Sequence, residues 1–409
     1  MRTDSTISPS SRPVTGPSEG VPVIYIVDDD PNTAAFANLL RTRGVWAEWL
    51  YPTTVTEDHL RSATLLAVDE YFRLERPGPD AEEDWYLPDG IPLTLVPADG
   101  LALSSVLRSA SKRPRVGRSR PLGITLRTGE LDELAGDLPA AARQPMLASQ
   151  FDLEWVAPKQ TTTVPTIDQM VSLAHALHRY PSQLSLPGAQ NAGIAWLQIP
   201  DTLWKALARS QVLACRPPAR VVPDSEHGLA WLRWLAHRIL AYPTFVASLE
   251  HVAVQLGVTV ESLAALFVEH GDNAVGGVTG RISGPGGELV DRLGVARYSG
   301  PLAGLQPPRY WRAGVHDLAV ELVGDFDADD TAMVGTALAE RVPELVPTAE
   351  VFPVLTIDAQ YRITGIVDRD VAVRLAPDGW PAYADPAWGE PGADEEESMA
   401  DLVAPRMWS

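Results

Sequence analysis

Three consecutive aspartates, Asp28-Asp29-Asp30, stand directly after the apolar run Val23-Ile24-Tyr25-Ile26-Val27 and directly before Pro31. Carboxylates packed this closely repel one another and raise each other's pKa unless a cation sits among them. Hard oxygen ligands of this kind suit Mg²⁺ or Mn²⁺. A further carboxylate, Asp69, ends a second apolar run, Thr64-Leu65-Leu66-Ala67-Val68. Two parallel strands ending in carboxylates at the same sheet edge would make one acidic pocket, and open α/β sheets place their sites at that edge.

The elements that must position these groups follow from patterning. Both apolar runs read as strands buried on two faces, as in a parallel sheet. Pro31 and Asn32 open a helix with Phe36, Leu39 and Leu40 at helical spacing. Gly44 to Leu50 reads as a second strand, Glu57 to Ala63 as a short helix, and Leu101 to Ser111 as another helix. Leu122 to Thr128 gives a fourth strand, Glu130 to Leu138 a helix, and Asp152 to Ala157 a fifth strand leading into Pro158-Lys159. Ile167 to Leu177 is an amphipathic helix. Five β/α units in order make a doubly wound sheet the natural architecture.

With those residues in place, the chain resembles a response-regulator receiver domain of the CheY-like family over about residues 20 to 180. The resemblance implies an acidic pair, Asp28 and Asp29, that holds Mg²⁺ together with Asp69. It implies that Asp69 accepts a phosphoryl group from a histidine kinase or phosphotransfer protein. Lys159 would reach the acyl phosphate, and Thr128, or Thr125 in its place, would be the hydroxyl that senses it. The family's Lys-Pro order is inverted here to Pro158-Lys159, and Asp69 is followed by Glu70-Tyr71-Phe72-Arg73.

The expected fold class is therefore α/β: a five-stranded parallel receiver-like sheet, then a helix-rich domain, then a small α+β portion. The boundaries read as a flexible leader over 1–20 and a receiver-like domain over 21–180 with an insertion at about 73–118. A helical domain over 192–272, an α+β portion over 295–388 and an acidic tail over 389–409 follow. Pro181 to Asn191 reads as a linker and Gly276 to Gly294 as a glycine-rich loop. Val351 to Ile357 and Tyr361 to Val367 read as a hairpin. Trp196, Trp204, Trp231, Trp234 and Trp311 read as core. The basic run Lys112 to Arg120 reads as a solvated loop.

Composition limits the function classes. The chain has 409 residues and a formal net charge of −20, which argues against a broad nucleic-acid or anionic-membrane surface. It has one cysteine, Cys215, which suits a reducing cytoplasm. No apolar run is long enough to span a membrane. The expected function is an atypical response regulator whose phosphoryl acceptance at Asp69 controls a helix-rich effector that contacts a protein partner. One alternative is a non-catalytic pseudo-receiver scaffold within a multiprotein assembly, for example in stress or phage defence. Another is a DNA-binding regulator using a helix-turn-helix at Gly257, although the helix after that corner carries Glu261 and no Lys or Arg.

Overall fold

The computed structural model describes residues 20–71, 97–159, 164–185, 189–218, 228–271, 284–325 and 327–391. The expected leader and nearly all of the expected acidic tail lie outside these, as does most of the Arg73 to Gly100 excursion. The first half follows strand and helix in alternation: β1 (Val23–Val27), α1 (Thr33–Arg41), β2 (Trp46–Leu50), α2 (Glu57–Ser62), β3 (Leu65–Asp69) and α3 (Gly100–Ser111). Then come β4 (Gly123–Thr128), α4 (Leu131–Ala135), α5 (Arg143–Gln150), β5 (Trp155–Pro158) and α6 (Val164–His178). The strands form one all-parallel sheet in the order β2-β1-β3-β4-β5. This is the receiver-like α/β fold expected from the sequence.

The period of two explains why central strands are apolar throughout. Ile24, Ile26, Leu65 and Ala67 face one side, where Phe36 and Leu40 of α1 and Met170 and Leu173 of α6 cover them. Tyr25, Val27, Leu66 and Val68 face the other, against Leu103 and Leu107 of α3 and Leu147 of α5. Chain order reverses between β1 and β3, so their C-terminal ends border the crevice where such sheets bind ligands.

The helix-rich region contains α7 (Gln190–Trp196), α8 (Lys205–Ala214) and α9 (Ala230–Trp234), which continues as a π-helical turn over Leu235–Ile239. The two-residue strands β6 (Val246–Ala247) and β7 (Tyr310–Trp311) pair antiparallel. Between them lie α10 (Leu249–Gln255), α11 (Val260–Gly271) and α12 (Pro285–Ala296), and after them α13 (Arg312–Val323) and α14 (Thr331–Arg341). The final strands β8 (Pro353–Ile357), β9 (Ile363–Asp368), β10 (Val373–Leu375) and β11 (Ala387–Gly389) form a small sheet in the order β10-β11-β8-β9. The expected hairpin is its β8–β9 pair.

The glycine-rich loop expected over Gly276 to Gly294 is corrected where it is described: Pro285 starts a helix at its permitted first turn. Leu289, Val290 and Leu293 then bury one face, which outweighs the glycine propensity penalty. The stretch read as a linker supplies buried Leu184. All five tryptophans named above are buried. Trp311 stacks on Phe245 at 5.4 Å and meets Tyr298 edge-on at 5.4 Å.

Two features join the sheet to the helices. The apolar layer beneath α1 and α6 continues without a break into Trp196, Trp231, Trp234 and Trp311. Beside it, Glu154, fully buried at the entry to β5, is clamped between two arginines. Arg108 of α3 donates to its Oε2 at 3.1 Å, Arg233 of α9 donates to its Oε1 at 2.6 Å, and the Ile124 amide also donates. Burial alone would push this carboxyl up; Arg108 and Arg233 outweigh it and hold it below the usual range. His237 bonds the Glu154 carbonyl at 3.0 Å, and burial pushes its pKa down to about 4, so it is neutral at pH 7.

Candidate functional site

Strand register sets the site. β1 and β3 run side by side, and each places a carboxylate at its C-terminal end. Asp28, Asp29 and Asp69 each offer an oxygen within 4.8 Å of the others. Asp28 is fully buried and Asp69 is 3% exposed, while Asp29 is partly open. The Asp28 carboxylate is fixed by its own turn: the Asp30 amide donates to Oδ1 and the Thr33 hydroxyl to Oδ2, both at 2.9 Å. The Trp49 indole donates to the Asp28 carbonyl at 2.9 Å, anchoring the strand end from β2.

Lys159 enters from the end of β5. Its ammonium donates to Asp69 Oδ2 at 2.9 Å and lies 3.1 Å from Asp28 Oδ2, so the inverted Pro158-Lys159 order still delivers the charge to this pocket. Burial lowers the Lys159 pKa, but Asp69 and Asp28 outweigh that and leave it raised. Asp69 is pushed up from 3.8 to about 6, first by burial and then by the Asp28 charge, with Lys159 and Arg127 pulling the other way.

The two threonines part company. Thr125 donates to the Trp155 carbonyl at 2.9 Å and is held within the sheet. Thr128 lies at the strand end, where its hydroxyl accepts from the Glu130 amide at 2.9 Å and draws the Glu70 pKa down. Glu70 is itself buried, with one carboxylate oxygen unpartnered, and burial raises its pKa. The chain returns to this edge at Gly100, whose amide donates to the Glu70 carbonyl at 2.7 Å. A Cβ on Gly100 would stand 1.8 Å from the Asp69 carbonyl oxygen, so only glycine fits there.

Sequence reasoning missed Arg127. It pairs in register with Asp69, is 4% exposed, and points its Nη1 at Asp28 Oδ2 from 3.5 Å. Its guanidinium lies 4.4 Å from the centre of the Phe36 ring, a cation–π distance. Its Nε is buried without a partner, an arrangement that costs about 1–3 kcal/mol. The signal in the sequence was a charged residue inside the otherwise buried strand Gly-Ile-Thr-Leu-Arg-Thr.

The basic run is exposed at most of its positions, in keeping with its reading as a solvated loop, and two guanidinium groups tie it down. Arg118 donates to the carbonyls of Leu60 and Ala63, and Arg61 donates at 2.9 Å to the carbonyl of Val116. These guanidinium groups pin the loop across the edge of the sheet opposite the aspartates. Arg118 is lowered to about 10 by burial.

Because Asp69 is raised when folded, the folded protein holds that proton more tightly than the unfolded chain does. The stability it contributes is present below pH 3.8 and is lost as pH rises through about 6. Asp69→Asn removes that loss, and we expect the variant to be more stable at pH 7.5 by up to about 3 kcal/mol, with little difference at pH 4. Urea denaturation of both proteins at the two pH values checks it; equal stability at pH 7.5 would refute it.

Three carboxylates within reach of one cation form a donor set that fits a hard divalent metal. Among the described residues no helix is long and apolar enough to cross a membrane. No family model and no curated protein matches the chain. A solved structure similar to it is that of the RcsB response regulator of Salmonella typhimurium, described for its conformational dynamism for DNA interaction. It is 16% identical, the match covers 46% of this chain and 83% of that one, and the TM-score is 0.23.

Proposed function

We propose that this chain is an atypical response regulator that accepts a phosphoryl group on Asp69. The observation that carries the reading is the meeting of Asp28, Asp29, Asp69 and the Lys159 ammonium at one sheet edge. In this reading an Asp69 oxygen attacks phosphorus as the bond to the donor's histidine nitrogen breaks. Lys159, already 2.9 Å from Asp69, moves its ion pair onto the new phosphoryl oxygens. Asp28, Asp29 and Asp69 would hold Mg²⁺, which offsets charge on those oxygens. Thr128 and Glu70 lie beside this centre and would feel the charge it gains. A receiver-like unit over 21–180 would act on the helical unit over 192–272 and the α+β portion over 295–388, which contact a protein partner in the cytoplasm. The donor would be a histidine kinase or phosphotransfer protein.

A second reading has its own support. The burial of Asp69 and the presence of Arg127 in the pocket favour a pseudo-receiver that serves as a docking scaffold. The DNA-binding reading fares worse. The exposed face of α11 carries Glu261, Ala265, Val268 and Glu269, and a recognition helix needs cations for phosphates. The Gly257 corner is also packed against α14.

Intact mass after incubation with acetyl phosphate, with and without Mg²⁺, tests the reading. We expect an adduct that needs Mg²⁺ and is missing in Asp69→Asn. Absence of any adduct under all conditions would leave the scaffold reading in its place.

A further inference from the structure

We propose that Arg127 is a built-in counter-cation that competes with a divalent metal for the acidic pocket and sets its metal affinity low. The inference builds on the reading of Asp28, Asp29 and Asp69 as a cation site. It concerns a residue that this reading gives no role.

The charge count comes first. Three carboxylates face two fixed cations, Lys159 and Arg127, leaving one net negative charge where a divalent ion would otherwise meet a net charge of minus two. Arg127 is almost always protonated, whatever its surroundings do to a lysine. It is also well held. Its position in β4 is fixed by the Asp69–Arg127 register, and its guanidinium rests over Phe36 on α1. The guanidinium therefore cannot simply swing into solvent when a metal arrives, because the side chain is 4% exposed.

The unpartnered Nε gives an independent indication. A buried arginine held only to make hydrogen bonds would be expected to use its five donors. Among the described residues this one leaves the Nε donor unused, and its guanidinium makes a single, long 3.5 Å polar contact, to Asp28. What the side chain supplies at that position is positive charge, delivered to a pocket that needs it.

Calorimetric titration of the full-length protein with Mn²⁺ and with Mg²⁺ tests the inference. Arg127→Met and Arg127→Gln keep an unbranched stem at this position and remove the charge, together with the guanidinium that rests over Phe36. We expect each to bind metal at least about tenfold more tightly than wild type, since a unit charge this close in a largely buried site is worth at least that much. Arg127→Lys keeps the charge and should bind within about threefold of wild type, a difference well under 1.4 kcal/mol. Adding Asp29→Asn to Arg127→Met should remove the gain, which localises it to this pocket among the many surface acids.

Equal affinity in wild type and both neutral variants would overturn the inference. So would a gain in Arg127→Lys as large as in Arg127→Met, since that would point to space and not charge. If no variant binds metal, both the inference and the cation-site reading fail. If metal binds equally well throughout and acetyl phosphate labels Asp69, only the role of Arg127 fails.

Discussion

Glu154→Ala is expected to destabilise the protein by about 3–5 kcal/mol, the usual cost of removing one partner from a buried ion pair. The carboxylate is fully buried and serves Arg108, Arg233 and the Ile124 amide together. Without it two guanidinium groups, 7% and 9% exposed, lose their main counter-charge, although Arg233 keeps Asp152. The loss comes from the stranded cations and not from the pair's intrinsic worth. A triple variant, Glu154→Leu with Arg108→Met and Arg233→Met, should therefore recover most of the stability. Urea denaturation of the two variants checks both parts. A single-variant loss under about 1 kcal/mol would show that the arginines find solvent or other partners.

Gly257→Ala should cost about 3 kcal/mol from two separate terms, left-handed backbone strain and overpacking. The φ angle there is +64°, and a Cβ would lie 1.8 Å from the carbonyl oxygen of Thr331, where α14 begins. The approach is mutual, since a Cβ on Gly335 would lie 2.1 Å from the Gly257 carbonyl oxygen. Backbone cannot move aside as a flexible side chain can. Gly44 supplies the control: its φ is +80° but nothing lies within 4 Å of its would-be Cβ. Gly44→Ala should cost only the strain, about 1–2 kcal/mol. Similar denaturation midpoints for the two variants would show that α14 yields at the contact.

The parallel sheet was legible because its central strands bury both faces, so Val23 to Val27 and Leu65 to Val68 could hardly read as anything else. The acidic pocket was legible for the same reason, as Asp28, Asp29 and Asp69 sit at the ends of those runs. What stayed hidden depended on partners far away in sequence. Glu154 draws its counter-charges from positions 108 and 233, and no local pattern announces that meeting. Arg127 reads as a charge in a strand until the β3–β4 register places it opposite Asp69. The helix at α5 was missed because Pro145 in its first turn looks like a breaker. The pair β6–β7 has two residues per strand, too few for any alternation to show. The π-helical turn over Leu235–Ile239 lies inside the expected helical domain over 192–272, a register change that composition does not betray.

The unbroken apolar layer from the sheet to Trp311 bears on how any event at the aspartates could be communicated. An interior packed this closely resists shear, because sliding one side past the other would open voids among indole rings. The sheet and the helices beneath it thus lack the lever arm that a loosely tethered effector would have. A charge gained or lost at Asp69 would have to travel as small, correlated shifts of packed side chains, or leave by the opposite face of the sheet, over α3 and α5. On that face Arg108 carries the polar link onward, through Glu154, to α9.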